Sequence, residues 1–101
     1  MEFIRKHTEG QWIQRIYNEH MVISPKDHVV VARCGIGEIS VYCDSILISQ
    51  APTMLDYLIE RAEKLNDEVQ DEWVDEFTEH RKQELSRLIE IIKAAGVEVV
   101  E

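Results

Sequence analysis

Cys43-Asp44-Ser45-Ile46-Leu47-Ile48-Ser49-Gln50-Ala51-Pro52-Thr53-Met54-Leu55-Asp56-Tyr57-Leu58 is the stretch on which the fold turns. Before it, apolar residues come in short, strand-like runs. After it they recur at Met54/Leu55, Leu58, Ala62, Leu65 and Val69, which is one face of an α-helix. Pro52 makes the change sharp, because a residue with fixed φ and no N–H fits the first helical turn and biases the preceding Ala51 toward extended backbone. A helix is therefore expected to start, or to restart after a kink, at Pro52. Ser49 is the expected N-cap, and Asp56 falls in the opening turns, where negative charge suits the helix dipole.

Working upstream, Trp12-Ile13-Gln14-Arg15-Ile16-Tyr17 is rich in aromatic and β-branched residues, and Asn18-Glu19 can turn it into Met21-Val22-Ile23. Pro25-Lys26-Asp27 is a turn signal before Val29-Val30-Val31-Ala32-Arg33, the strongest strand pattern in the chain. Three antiparallel strands are expected. A competing reading makes Trp12 to Met21 a helix, since Trp12, Ile16 and His20 are spaced by four. Gly35-Ile36-Gly37 breaks the strand pattern, and Glu38 to Gln50 stays open. Ile39, Val41 and Cys43 alternate as in a strand, whereas Ile39, Cys43, Ile46 and Gln50 fit a helix capped by Asp44. Met1 to Gly10 reads as a polar lead-in without assigned structure.

Downstream, no proline or glycine occurs from Thr53 to Ala95. One helix over those 43 residues would be about 65 Å long, while a compact domain of this size has a radius of gyration near ~13 Å. A helical hairpin resolves the conflict, with its turn expected near Asn66-Asp67. The second helix should run to about Ala95 and stop at Gly96, leaving Val97 to Val100 as an edge strand or a frayed end. The expected fold is α+β in a single domain over 1–101. A small antiparallel sheet of about three strands, with its junction, occupies about 11–50 and packs against an acidic hairpin over 52–95.

The chain has 101 residues and a net charge of −9. Up to Glu38 acids and bases balance, whereas Glu60 to Glu79 holds nine acids against Arg61 and Lys64. Such a surface repels nucleic acid and attracts basic partners. No run of about 18 apolar residues signals a membrane span, and Met1 to Gly10 is charged where a signal peptide is apolar, so a cytoplasmic location is expected. Cys34 and Cys43 are then read as reduced thiols and small hydrophobes.

On a continuous second helix, Val69, Trp73, Phe77, His80, Leu88, Ile91 and Ala95 fall on one side, with Val74 and Ile92 at its margin. Trp73, Phe77 and Trp12 are expected in the core. Asp67, Asp71, Asp75 and Glu79 form one row at i, i+4, and Glu68, Glu72 and Glu76 form the row beside it. Like charges at this spacing each cost a few tenths of a kcal/mol of helix stability. The face is either a solvated surface or a docking site for a basic protein. In the second case two carboxylate rows would imitate the charge of DNA, which carries about one charge per ~1.7 Å.

Other chemistry is thinly supported. His7, His20, His28 and His80 have no zinc-type spacing with one another or with the cysteines, and no metal or cofactor is expected. Gly35-Ile36-Gly37 lacks the rest of a phosphate-binding fingerprint. Glu60-x-x-Glu63 and Glu72-x-x-Asp75 are similar to the paired acidic motifs of helical nucleotide pyrophosphohydrolases, but that reading needs the polar face turned inward. No nucleophile is paired with an evident base, and the chain is not expected to be an enzyme.

Thr8-Glu9-Gly10-Gln11-Trp12, Val30-Val31-Ala32 and Asp44-Ser45-Ile46-Leu47-Ile48-Ser49-Gln50-Ala51-Pro52-Thr53-Met54-Leu55 together resemble a group of small phage and prophage accessory proteins. Those carry a Thr-x-Gly-x-Trp opening, short strands, and a segment like Ala-Asn-Ala-Arg-Leu-Ile-Ala-Ala-Ala-Pro-Glu-Leu-Leu-Glu-Ala-Leu. Ile46 stands where the group has Arg, and Ser49-Gln50 replaces alanines. The resemblance implies a phage origin, a bacterial host cytoplasm, a sheet-plus-helix fold and helix for at least Asp44 to Gln50, with no catalytic residues. The expected function is inhibition of a host defence or nucleic-acid-handling protein, such as a Cas effector, through Asp67, Glu68, Asp71, Glu72, Asp75, Glu76 and Glu79. An anti-CRISPR protein is the sharpest form of this expectation, and an immunity protein or antitoxin against a basic nuclease toxin is the alternative. A homodimer is compatible with either.

Overall fold

The computed structural model describes residues 1–26, 29–36, 39–70 and 75–101. It is an α+β structure that divides into two compact units, Thr8–Met54 and Met1–His7 with Leu55–Glu101.

In the first unit, β2 (Ile13–Tyr17), β3 (Glu19–Ser24) and β4 (Val29–Gly35) follow β1 (Glu2–Ile4) of the other unit and form an antiparallel sheet in the order β2-β3-β4. Ile16 pairs with His20 across the β2–β3 hairpin, so the helix considered for Trp12 to Met21 is excluded: those two residues face each other across strands. Asn18 turns the hairpin with φ 62°, a left-handed conformation that a short amide side chain tolerates. Pro25 and Lys26 turn β3 toward β4 as expected; Asp27 lies outside the described residues. Trp12 is half-buried just before β2, and its indole N–H donates to the Thr8 carbonyl at 3.1 Å.

The open stretch is helical from its first described residue, as α1 (Ile39–Ser49). α1 packs across β3 and β4, and the Tyr42 ring meets His20 of β3 edge-on at 5.5 Å between centroids. Val41, Ser45, Ile48 and Ser49 form its less exposed side, and Ser45 and Ser49 are buried. Their hydroxyls donate to the carbonyls of Tyr42 (2.7 Å) and Ile46 (2.6 Å), so each polar group is satisfied within its own helix. Two capping expectations fail. Ser49 closes α1 rather than capping the next helix, and Asp44 lies inside α1, exposed.

α2 (Ala51–Gln70) restarts immediately, with Pro52 as its second residue. Gln50 provides the junction: its N–H still bonds back to Ile46 and Leu47, while its carbonyl accepts from Met54.

In the second unit, α2 and α3 (Thr78–Ala94) form the helical hairpin, and β5 (Glu98–Val100) pairs antiparallel with β1, Phe3 opposite Val99. The lead-in is thus partly a strand. The core is Ile59, Ala62, Leu65, Leu85, Ile92 and Val97, with Phe3, Leu55, Leu58, Val69, Leu88, Ile89 and Val99 packed on it. Fully burying each large side chain contributes roughly 1.5–3 kcal/mol.

Three expectations about the hairpin change. α2 runs through Asn66-Asp67 to Gln70, because Leu65 and Val69, one turn apart, keep its apolar stripe on the core. The turn falls later, where Asp75, Glu76 and Phe77 precede α3. The apolar side extrapolated from Val69 is therefore out of phase. α3 buries Thr78, Leu85 and Ile92, while Phe77 is 55% and Ile91 43% exposed. Trp73 and Val74 lie outside the described residues.

The far end matches expectation. The Gly96 N–H bonds to the Lys93 carbonyl and that of Val97 to Ile92, a Schellman closure with Gly96 at φ 90°. His7 adds a ring nitrogen at the carbonyl of Ala95. Among the described residues no helix is long and apolar enough to cross a membrane.

Candidate partner-binding surface

The head of α3 is built around a local conflict. Helix starts leave N–H groups unpaired, and this one follows a run of acids. Asp75 resolves both demands. Its carboxylate accepts the Phe77 N–H at 2.8 Å and takes Arg81 Nη1 on both oxygens at 3.1 Å. The Asp75 N–H in turn donates to Thr78 Oγ1 at 3.0 Å. The Phe77 amide first, and then Arg81, hold the Asp75 carboxyl below the usual aspartate range, outweighing the opposing effect of burial. Asp75 therefore serves the fold and is not a free charge.

Arg81 also approaches Glu68 at 3.6 Å, bringing the end of α2 to the start of α3. Further along the hairpin Arg61 pairs with Glu84 at 3.3 Å. Among the described residues Glu79 pairs only with Lys82, at 3.4 Å on side chains 80% and 51% exposed, so that pair is weak. Among the described residues Asp67 and Glu76 make no ion pair.

The expected pair of unbroken carboxylate rows is thus not a single helical face. Asp67 and Glu68 end α2, Asp75 and Glu76 precede α3, and Glu79 sits in its first turn. Asp71 and Glu72 lie outside the described residues. The rows presuppose one helix through a segment in which 75–77 is not helical, and Arg81 draws Asp75 and Glu68 toward itself.

Phe77 is the residue that sequence reasoning misplaced. It stands between Glu76 and Thr78, 55% exposed, at the head of α3. The available signal was Asp75-Glu76-Phe77-Thr78, in which Asp and Thr three apart are capping residues. A turn held by Asp75 and Thr78 leaves Phe77 ahead of α3 and outside its buried stripe. Exposed aromatic surface within a charged rim is the composition of an interface anchor.

Glu60 and Glu63 are exposed on α2, so that acid pair does not turn inward as a hydrolase site would need. A shallow, open depression on α3 is lined by Lys82, Gln83, Ser86, Arg87 and Glu90.

The chain matches no protein-family model, no curated protein and no solved structure. A functional reading consequently rests on its own residues.

Proposed function

We propose that this protein acts by binding a basic protein through the α2–α3 end of the hairpin, with Phe77 as the apolar anchor and Glu76, Glu79, Asp67 and Glu68 as an acidic rim. The observation that carries the reading is the exposure of Phe77 beside carboxylates that are unpaired or weakly paired, while Asp75 is taken up by the Phe77 amide and Arg81. The unit bearing this surface holds 15 acids against 8 Lys and Arg, net −7 of the chain's −9. A field of that sign steers basic partners and disfavours direct nucleic-acid binding.

In its most concrete form the partner is a nucleic-acid-handling protein of a bacterial host, inhibited in the manner of an anti-CRISPR protein. The resemblance to phage accessory proteins supports that form, and the acidic rim supports the partner's charge.

The test is capture from host lysate by the tagged chain, compared with Phe77→Ala and with Glu76→Lys/Glu79→Lys, which leave the Asp75–Arg81 pair in place. The expected result is a nucleic-acid-handling enzyme with a basic surface, retained by the wild type at low salt, released as salt rises and lost with both variants. Retention of the same protein by both variants would remove the surface from the account.

A further inference from the structure

The remaining unit presents a face of opposite character. On a helical projection of α1 at about 100° per residue, Ile39, Ser40, Cys43, Ile46 and Leu47 fall on one side. Tyr42 and Asp44 flank it, and Val41, Ser45, Ile48 and Ser49 lie opposite. Burial follows the projection: Ser45 is 0% and Ser49 7% exposed, whereas Ile39 is 82%, Leu47 59%, Tyr42 41% and Ile46 38% exposed. Ile39, Ile46 and Leu47 thus point away from the sheet, while Ser45 and Ser49 point toward it beside Val41 and Ile48. A helix apolar on nearly every side is ordinarily buried on every side.

The geometry points to a second copy of this chain as the occupant of that face, packed α1 against α1 in antiparallel fashion about Cys43. Charge supports a like partner over a charged one. Asp44 is the only ionic side chain in α1, and Thr8–Met54 is close to neutral, with 5 acids and 3 bases. Such a face offers a basic protein little attraction and its own copy little repulsion.

The spacing is also self-complementary. A two-fold at Cys43 sets Ile39 and Tyr42 against Ile46 of the second copy. Leu47 is set over the small Ser40, whose hydroxyl can donate to the copy's Asp44 carboxylate. Area gives the scale: the exposed parts of Ile39, Tyr42, Ile46 and Leu47 amount to roughly 300 Å², taking about 150 Å² for a large side chain. That is the size of the largest apolar patch on a typical monomer, the kind that often serves a contact. It is also a little under half of the ~800 Å² one partner gives to a standard interface, so the dimer should be concentration-dependent rather than obligate.

Sedimentation of the full chain from low to high micromolar concentration tests this, alongside Ile39→Glu/Leu47→Glu, with circular dichroism to show that the variant stays folded. A Cys34→Ser chain, in which Cys43 is the only thiol, is treated with a short bis-maleimide linker. The expected result is a reversible dimer that the double variant shifts at least tenfold toward monomer, with Cys43 crosslinking copies only in the associating form. A monomer at every concentration overturns the inference, and if its Cys43 is shielded from a monofunctional maleimide, the face is covered by the same chain. A dimer indifferent to both glutamates, or one whose Cys43 fails to crosslink, also overturns it.

Discussion

The two units solve the same problem with different materials. The hairpin unit buries Ile59, Ala62, Leu65, Leu85, Ile92 and Val97 together and gives its surface to carboxylates. Among the described residues of the sheet unit, the buried apolar side chains are Met21 and Val22, beside buried Ser24, Ser45 and Ser49. Hydroxyls bonded to nearby carbonyls satisfy themselves but contribute little hydrophobic stabilisation. Stability should therefore concentrate in the hairpin, while the sheet unit keeps its apolar surplus on the outside of α1. The contrast teaches that composition does not place a core. α1 is among the most apolar segments of the chain, yet it buries serines.

The largest expected effect separates the two cores. Leu65→Ala should cost about 2–5 kcal/mol in denaturant unfolding, whereas Ser45→Ala, which removes a hydroxyl bonded only within its own helix, should change stability by less than ~1 kcal/mol. Equal losses at the two positions would erase the comparison.

Next in size is the α3 stop. Gly96 has φ 90°, and a Cβ there would lie 3.2 Å from His7 Nε2. Gly96→Ala should therefore lower stability by about 1–2 kcal/mol. A melting temperature unchanged from wild type would mean that the Schellman closure is dispensable.

At the other end of α3, Thr78→Ala removes the acceptor for the Asp75 N–H and should cost about 1 kcal/mol. Protection of the α3 amides from hydrogen exchange, measured beside those of α2, would show whether the loss is local.

The smallest effect is a dependence on pH. The folded-state pKa of Asp75 lies below its unfolded value. Its contribution is therefore complete above the ordinary aspartate range near ~4 and is lost as pH falls through the folded value. Thermal melts of wild type and Asp75→Asn should differ at neutral pH and converge in acid. A constant gap would show that the carboxylate's charge plays no part.

Much of this was legible in the residues, and the failures have physical causes. Pro52 and Gly96 marked their boundaries through strong backbone preferences, and Asn18 marked its own because strand patterns flank it on both sides. β1 was missed because Phe3 and Ile4 become a strand only through pairing with Val99 and Glu98, nearly the whole chain away. Asn66 and Asp67 look like turn residues, but the packing of Leu65 and Val69 carries the helix past them. At the candidate surface the acids were visible and their division was not. Asp75 looks like Glu76 in a charge count and differs from it only once Arg81 and the Phe77 amide are in place.

Hydrogen exchange of the intact protein, read at two protein concentrations, tests the contrast most directly. Peptides from α2 and α3 should be strongly protected and indifferent to concentration. Those from α1 should exchange faster when dilute and gain protection when concentrated, as a second copy covers Ile39, Ile46 and Leu47. Protection of α1 equal to that of the hairpin at the lower concentration would contradict the account.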